Sequence, residues 1–198
     1  MTLVNSEGIA HMNQGPDYQQ LYETAESQAG YFAAHQARKC GFSWERLSSN
    51  VKTGRFIRIR RGIYRLTQFP GSEHEDLFVA WLRTGPDSVI SHESALSLYE
   101  LADVLPAEIH VIVPRTASRR RPDIRQHTHH LDADEVTRRE GLPVTTVTRS
   151  LADVATSGLA EEQVRLAIRE AIERGLTSAV KLRSYAMRRG GLFQQILF

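Results

Sequence analysis

The chain has 198 residues, 41% apolar and 24% charged, which leaves room for one large or two small domains and excludes wholesale disorder. Its longest apolar run, Leu77 to Leu82, is far short of the ~20 residues a membrane helix needs. The stretch before Arg38 has neither the basic start nor the apolar core of a secretory signal, and the lone Cys40 permits no internal disulfide. The chain therefore reads as a soluble, cytoplasmic protein. Its net charge of +2 conceals strong blocks. Residues 1–37 hold four acids and no base, and residues 38–65 hold nine bases against Glu45. Eight acids face Arg83 across residues 66–114, and five arginines face Asp123 across residues 115–125. Fields of this kind select partners even when the total charge is near zero. Arginine supplies 22 of the 25 basic residues. That bias suits phosphate and guanine, although a GC-rich genome produces it as well.

In chain order, residues 1–16 read as a flexible leader. Asp17 opens a helix with Leu21, Tyr22, Ala25 and Ala29 at helical spacing, stopped by Gly30. Phe32, Ala33, Ala37 and Cys40 predict the apolar face of a second, short helix ending at Gly41. Ser43 predicts the N-cap of a third helix running to about Thr53, with Glu45 complementing its dipole. Phe56, Ile57, Ile59, Ile63 and Tyr64, interleaved with arginines around Gly62, predict a β-hairpin. Three helices and a basic hairpin over residues 17–67 describe a winged helix-turn-helix. The third helix is expected to expose Trp44, Arg46, Ser48, Ser49, Asn50 and Lys52 around buried Leu47 and Val51. Duplex DNA requires such a face: a helix for the major groove, polar groups for base edges and cations for phosphates.

Residues 68–72, with Pro70-Gly71, read as a linker, and residues 73–198 as a mixed α+β domain. Expected there are helices at 74–83, 91–100, 145–155 and 160–174, and a last one from Thr177 to Gly190. Strands are expected at Val89-Ile90, Ile109–Val113 and Ile124–His130, with Leu142-Pro143-Val144 extended. The arginine-rich stretch 115–122 reads as a loop, and the apolar residues 192–198 as a tail that docks on the body or on a partner. The fold class is thus α+β, a winged helix-turn-helix followed by a mixed α+β domain.

Several motifs are specific. Tyr31-Phe32-Ala33-Ala34, Gly41-Phe42-Ser43, Gly54-Arg55 and Arg60-Arg61-Gly62-Ile63-Tyr64-Arg65 occur in the first part. Ser91-His92-Glu93-Ser94-Ala95-Leu96, His110-Val111-Ile112-Val113-Pro114-Arg115, Gly141-Leu142-Pro143-Val144-Thr145-Thr146 and Arg149-Ser150-Leu151-Ala152-Asp153 occur in the second. Together these resemble AbiEi-type antitoxins over roughly residues 30–175. The resemblance implies a winged-helix repressor of its own promoter that neutralises a nucleotidyltransferase toxin. It also implies a second basic surface toward DNA at Arg115, Arg119, Arg120, Arg121 and Arg125.

From the residues, Arg46, Ser49 and Asn50 are expected to read bases. Ser43, Trp44, Lys52 and Arg55 are expected to hold phosphates, with Arg58, Arg60 and Arg61 on the wing at the minor groove. Trp44 could instead staple its helix to the core. Double-stranded DNA is the expected partner, with a toxin and a second copy of the chain on DNA beside it. No membrane, cofactor or metal is expected. His127, His129 and His130 with Asp132 and Asp134 form the most metal-like cluster, read as structural because no cysteine joins them. Ser91-His92-Glu93 is not a triad, because neighbours on a helix point apart. Asp153 and Glu173 lack paired acids, which argues against a nuclease. The alternatives are a plain winged-helix regulator without a toxin and a nuclease targeted by the winged helix.

Overall fold

The computed structural model describes residues 15–115 and 121–197. Residues 1–14 of the expected leader, together with Arg119 and Arg120, lie outside the described residues. Asp17 starts the first helix, α1 (Tyr18–Glu26), by accepting the Gln20 N–H at 2.8 Å. The turn that follows ends at Gly30, whose φ is +88° and where an added Cβ would lie 2.4 Å from Phe69. Only glycine meets both conditions.

The segment expected as a helix from Phe32 opens instead with a strand, β1 (Tyr31–Ala33), followed by α2 (Ala34–Lys39). β1 is extended because it pairs antiparallel with β3 (Ile63–Leu66), opposing Phe32 to Tyr64. β2 (Phe56–Arg60) pairs with the other edge of β3, giving the sheet order β1-β3-β2. Between α2 and β2 lies α3 (Trp44–Lys52), with Ser43 at its N-cap accepting the Arg46 N–H. Leu21, Phe32, Ala37, Cys40, Phe42, Leu47, Phe56 and Tyr64 share one apolar cluster beneath these elements. This is a winged helix-turn-helix, as the spacing predicts.

A second sheet has the order β6-β5-β4-β8-β7. Its strands are β4 (Val89–Ile90), β5 (Ile109–Ile112), β6 (Ile124–His127), β7 (Val136–Arg139) and β8 (Leu142–Thr145). β4 runs antiparallel to β5 and parallel to β8; β5 and β6 are parallel, and β7 and β8 form a hairpin. β4 and β8 are buried throughout, as strands covered on both faces are. The sequence pattern missed β7, whose residues Val136-Thr137-Arg138-Arg139 are half-buried or exposed. The strand expected to reach His130 ends at His127.

The helices of this part are α4 (Glu75–Thr84), α5 (His92–Leu98), α6 (Val147–Val154), α7 (Glu161–Glu173), α8 (Ala179–Arg189) and α9 (Gly191–Leu197). Ser178 rather than Thr177 caps α8, accepting the Lys181 N–H at 3.3 Å. The apolar tail is α9, which buries Phe193 and Ile196 in the larger apolar cluster.

Tyr31, Ala33 and Ile63 belong to that larger cluster, so the back of the wing sheet rests on α4. Tyr31 stacks on Phe78 with centroids 4.9 Å apart, and its hydroxyl donates to Glu75 Oε2 at 3.0 Å while accepting the Ser72 N–H. A fully buried aromatic ring contributes about 1.5–3 kcal/mol, so the Tyr31–Phe78 stack is a strong fastening between the wing sheet and α4.

Candidate nucleic-acid interface

α3 is amphipathic, with Leu47 buried beneath an outward face of Trp44, Arg46, Ser48, Ser49 and Lys52, all exposed. Ser43 is the N-cap, and its side chain also hydrogen-bonds Glu45, which holds that carboxyl below its ordinary value. Trp44 is 53% exposed, with the Arg38 guanidinium 5.6 Å from its ring centroid. It does not staple the helix to the core, because Phe42 and Leu47 already fill that space.

Asn50 does not join the outward face. It is buried, its Nδ2 donates to the Arg46 carbonyl at 2.8 Å, and its amide meets the Tyr18 hydroxyl. The side chain ties α3 to α1 and has no free edge for a base. Arg55 follows the helix, exposed, with its guanidinium 5.9 Å from the Tyr18 ring centroid.

The wing arginines divide. Arg58 and Arg61 line a cleft of about 640 Å³ with Trp44, Ser48, Val51, Gly62 and Tyr64, which joins α3 to the wing tip. Arg60 points to the second sheet and meets Asp123 Oδ2 at 3.0 Å, an oxygen it shares with Arg83. Ser48 and Arg38 are the residues that sequence reasoning left out of the site. Ser48 lies one turn after Trp44, a signal the spacing carried.

Of the second basic group, Arg115 is exposed just after β5, and Arg125 is exposed on β6, an edge strand. Arg121 is half-buried and bridges to Ile124. Asp123 therefore stands between the wing arginines and those around the start of β6.

A second constellation is gathered from distant parts of the sequence. His92, at the start of α5 with φ +50°, stacks on His127 with centroids 3.7 Å apart. Its Nδ1 is 3.0 Å from Ser91 Oγ. Glu93 turns away from it: Oε2 is 2.7 Å from His110 Nδ1, and Oε1 accepts the Ser157 hydroxyl at 2.5 Å. Ser91 and His92 therefore meet, contrary to the expectation that neighbours point apart, but Glu93 does not reach His92 and no triad forms. Burial, with the neighbouring histidines, presses His92 down to about 2 and His127 to about 4, so both rings are neutral at ordinary pH. Desolvation opposes ionisation of Glu93, but its hydrogen bonds with His110 and Ser157 outweigh it and bring the carboxyl to about 2. Among the described residues, His92, His110 and His127 could hold a metal ion, as could His92, His129 and Asp153. His130, Asp132 and Asp134 do not join either group; His130 and Asp132 form an exposed pair at 3.2 Å, and Asp134 lies in an exposed turn.

Beside this cluster Arg149 is completely buried and bridges two acids. Its Nε donates to both oxygens of Asp153 at 2.9 Å, and its Nη1 meets Glu135 Oε2 at 2.5 Å. Tyr185 and Arg189 also bond to Glu135 Oε1. Asp153 thus has an acidic partner that the sequence did not reveal, but Arg149 occupies the space between the two carboxylates. Desolvation works against ionised Glu135, yet the Tyr185 hydroxyl, the Asp132 N–H and the two arginines keep its carboxyl below its ordinary value. Burial leaves Asp153 raised.

Among the described residues, no helix is long and apolar enough to cross a membrane. No curated protein matches the chain. Residues 19–67, from α1 to just past β3, match the model of the family described as transcriptional regulator, AbiEi antitoxin, which bears out over the winged helix the resemblance read from the motifs.

Proposed function

We propose that the chain is a sequence-specific, double-stranded DNA-binding repressor of its own promoter, with α3 in the major groove and the wing beside it. The observation that carries this reading is the cleft in which Trp44 and Ser48 of α3 face Arg58 and Arg61 of the wing. Arg46 and Ser49 are the base-reading candidates. Ser43, Trp44, Lys52, Arg55, Arg58 and Arg61 hold phosphate and sugar, which sets register without reading sequence. Arg115, Arg121 and Arg125 extend the contact along the duplex, and a second copy on DNA would double it.

The family description favours an antitoxin role as well. We place the contact with a nucleotidyltransferase toxin at the acidic edge of Glu100, Asp103 and Glu108, where Leu105 is 91% exposed. No catalytic step is assigned to the chain. A mobility-shift titration on its own upstream region, against a shuffled duplex of equal length at two salt concentrations, tests the repressor reading. Preference for the native fragment at the higher salt supports it, and equal binding to both duplexes refutes it. Co-purification with the product of an adjacent nucleotidyltransferase gene tests the antitoxin role; failure of the two proteins to associate refutes contact neutralisation.

A further inference from the structure

We infer that His92, His110 and His127 form a binding site for a divalent first-row cation of the zinc class. The three imidazoles come from the start of α5, from β5 and from the end of β6, and one ligand nitrogen of each lies within 4.8 Å of the other two. His127 Nε2 and His110 Nδ1 are 3.4 Å apart. Two imidazole nitrogens held by one tetrahedral zinc at about 2.0–2.1 Å stand about 3.3 Å from each other, so this pair already has the required separation. The third nitrogen, on His92, closes the set by moving no more than about 1.5 Å, which rotation of its ring out of the stack with His127 supplies.

The surroundings suit a ligand set. Ser91 Oγ engages His92 Nδ1 and leaves Nε2 for the ion. Glu93 Oε2 lies 2.7 Å from His110 Nδ1, the nitrogen that faces His127, so its carboxylate stands beside the ion and its negative charge favours a cation there. His92 and His110 are buried while His127 is half-buried, which gives the ion a way in from the strand end.

The rival set on the same His92, with His129 and Asp153, is disfavoured. Both Asp153 oxygens accept from Arg149 Nε at 2.9 Å, and the guanidinium beside them repels a cation.

The experiment titrates the full-length chain, stripped with a chelator, with Co²⁺ and then with Zn²⁺. One equivalent of Co²⁺ is expected to give the intense visible bands of a low-symmetry, four- or five-coordinate site, and Zn²⁺ should displace it and raise the thermal midpoint. Loss of an outer partner alone costs about 10–100-fold in metal affinity, so His127→Ala should weaken binding by about 100-fold or more. His129→Ala and His130→Ala should bind as the unaltered chain does. If the folded unaltered chain gives no such bands, the site does not exist, whatever the variants do. Retention in His127→Ala together with loss in His129→Ala would overturn the assignment in favour of the other set.

Discussion

The two adjacent wing arginines are expected to behave differently toward DNA. Lys52, Arg55, Arg58 and Arg61 are exposed along α3 and the wing, and none makes an ion pair with another described residue at 4 Å or less. If each meets one phosphate, this face contributes about −3.6 to the slope of log affinity against log salt, at about −0.9 per contact. Its share of the affinity then falls about 150-fold between about 50 and about 200 mM salt. Arg61→Ala removes one contact, giving a contribution of about −2.7 and a fall of about 40-fold over the same range. Arg60 is turned toward Asp123, 3.0 Å away, rather than toward the α3 cleft, so Arg60→Ala should leave the slope near its starting value. Fluorescence anisotropy with a labelled duplex at five salt concentrations measures both. Equal flattening by the two variants would refute the reasoning, because it would mean that the Arg60–Asp123 pair opens to phosphate.

Asn50→Ala should lower stability by about 1–2 kcal/mol in urea, since it breaks the tie between α3 and Tyr18, and should weaken native and shuffled duplexes alike. A selective loss on the native duplex would return Asn50 to base reading. Arg149→Met leaves Glu135 and Asp153 buried with only Arg189 opposite, and should cost about 3–5 kcal/mol in the same assay; a change under about 1 kcal/mol would contradict the buried bridge. Glu135, held below its ordinary 4.5 when folded, contributes stability that is complete above that value and lost as pH falls through the lowered one. Glu135→Gln should therefore be less stable at neutral pH and show a flatter acid limb in pH-resolved unfolding; an unchanged limb would exclude Glu135 as its source. Of the two tryptophans, Trp44 is 53% exposed and Trp81 6%. DNA should protect Trp44 from acrylamide quenching, and an unchanged quenching constant in the complex would remove it from the interface.

The winged helix was legible because its signals are local. Ser43 caps, Leu47 repeats, and Gly62 turns the hairpin, all within short windows. β1 was hidden because the same Phe32 and Ala33 that fit a helical stripe also fit a strand, and only the partner Tyr64 decides between them. Asn50 was misplaced for a related reason. Helical spacing puts it at the boundary of the polar face, and Tyr18, 32 residues earlier in the chain, closes over it.

The second part reads less well because its decisive contacts are nonlocal. Of the neighbours His127, His129 and His130, only the first two join His92 and His110, which the crossing of α5, β5 and β6 brings together. Arg149 likewise finds Asp153 one helical turn away and Glu135 at the far end of the β7–β8 hairpin, and no pattern in the sequence foretells the second. Arg60 shows the same limit within the most legible region. Strict alternation along β2 would put Arg60 on the side of Arg58, but the pairing register shifts between them, and Arg60 meets Asp123, 63 residues on. A charge block therefore sets the maximum number of phosphate contacts, and the tertiary partners decide how many of them remain available.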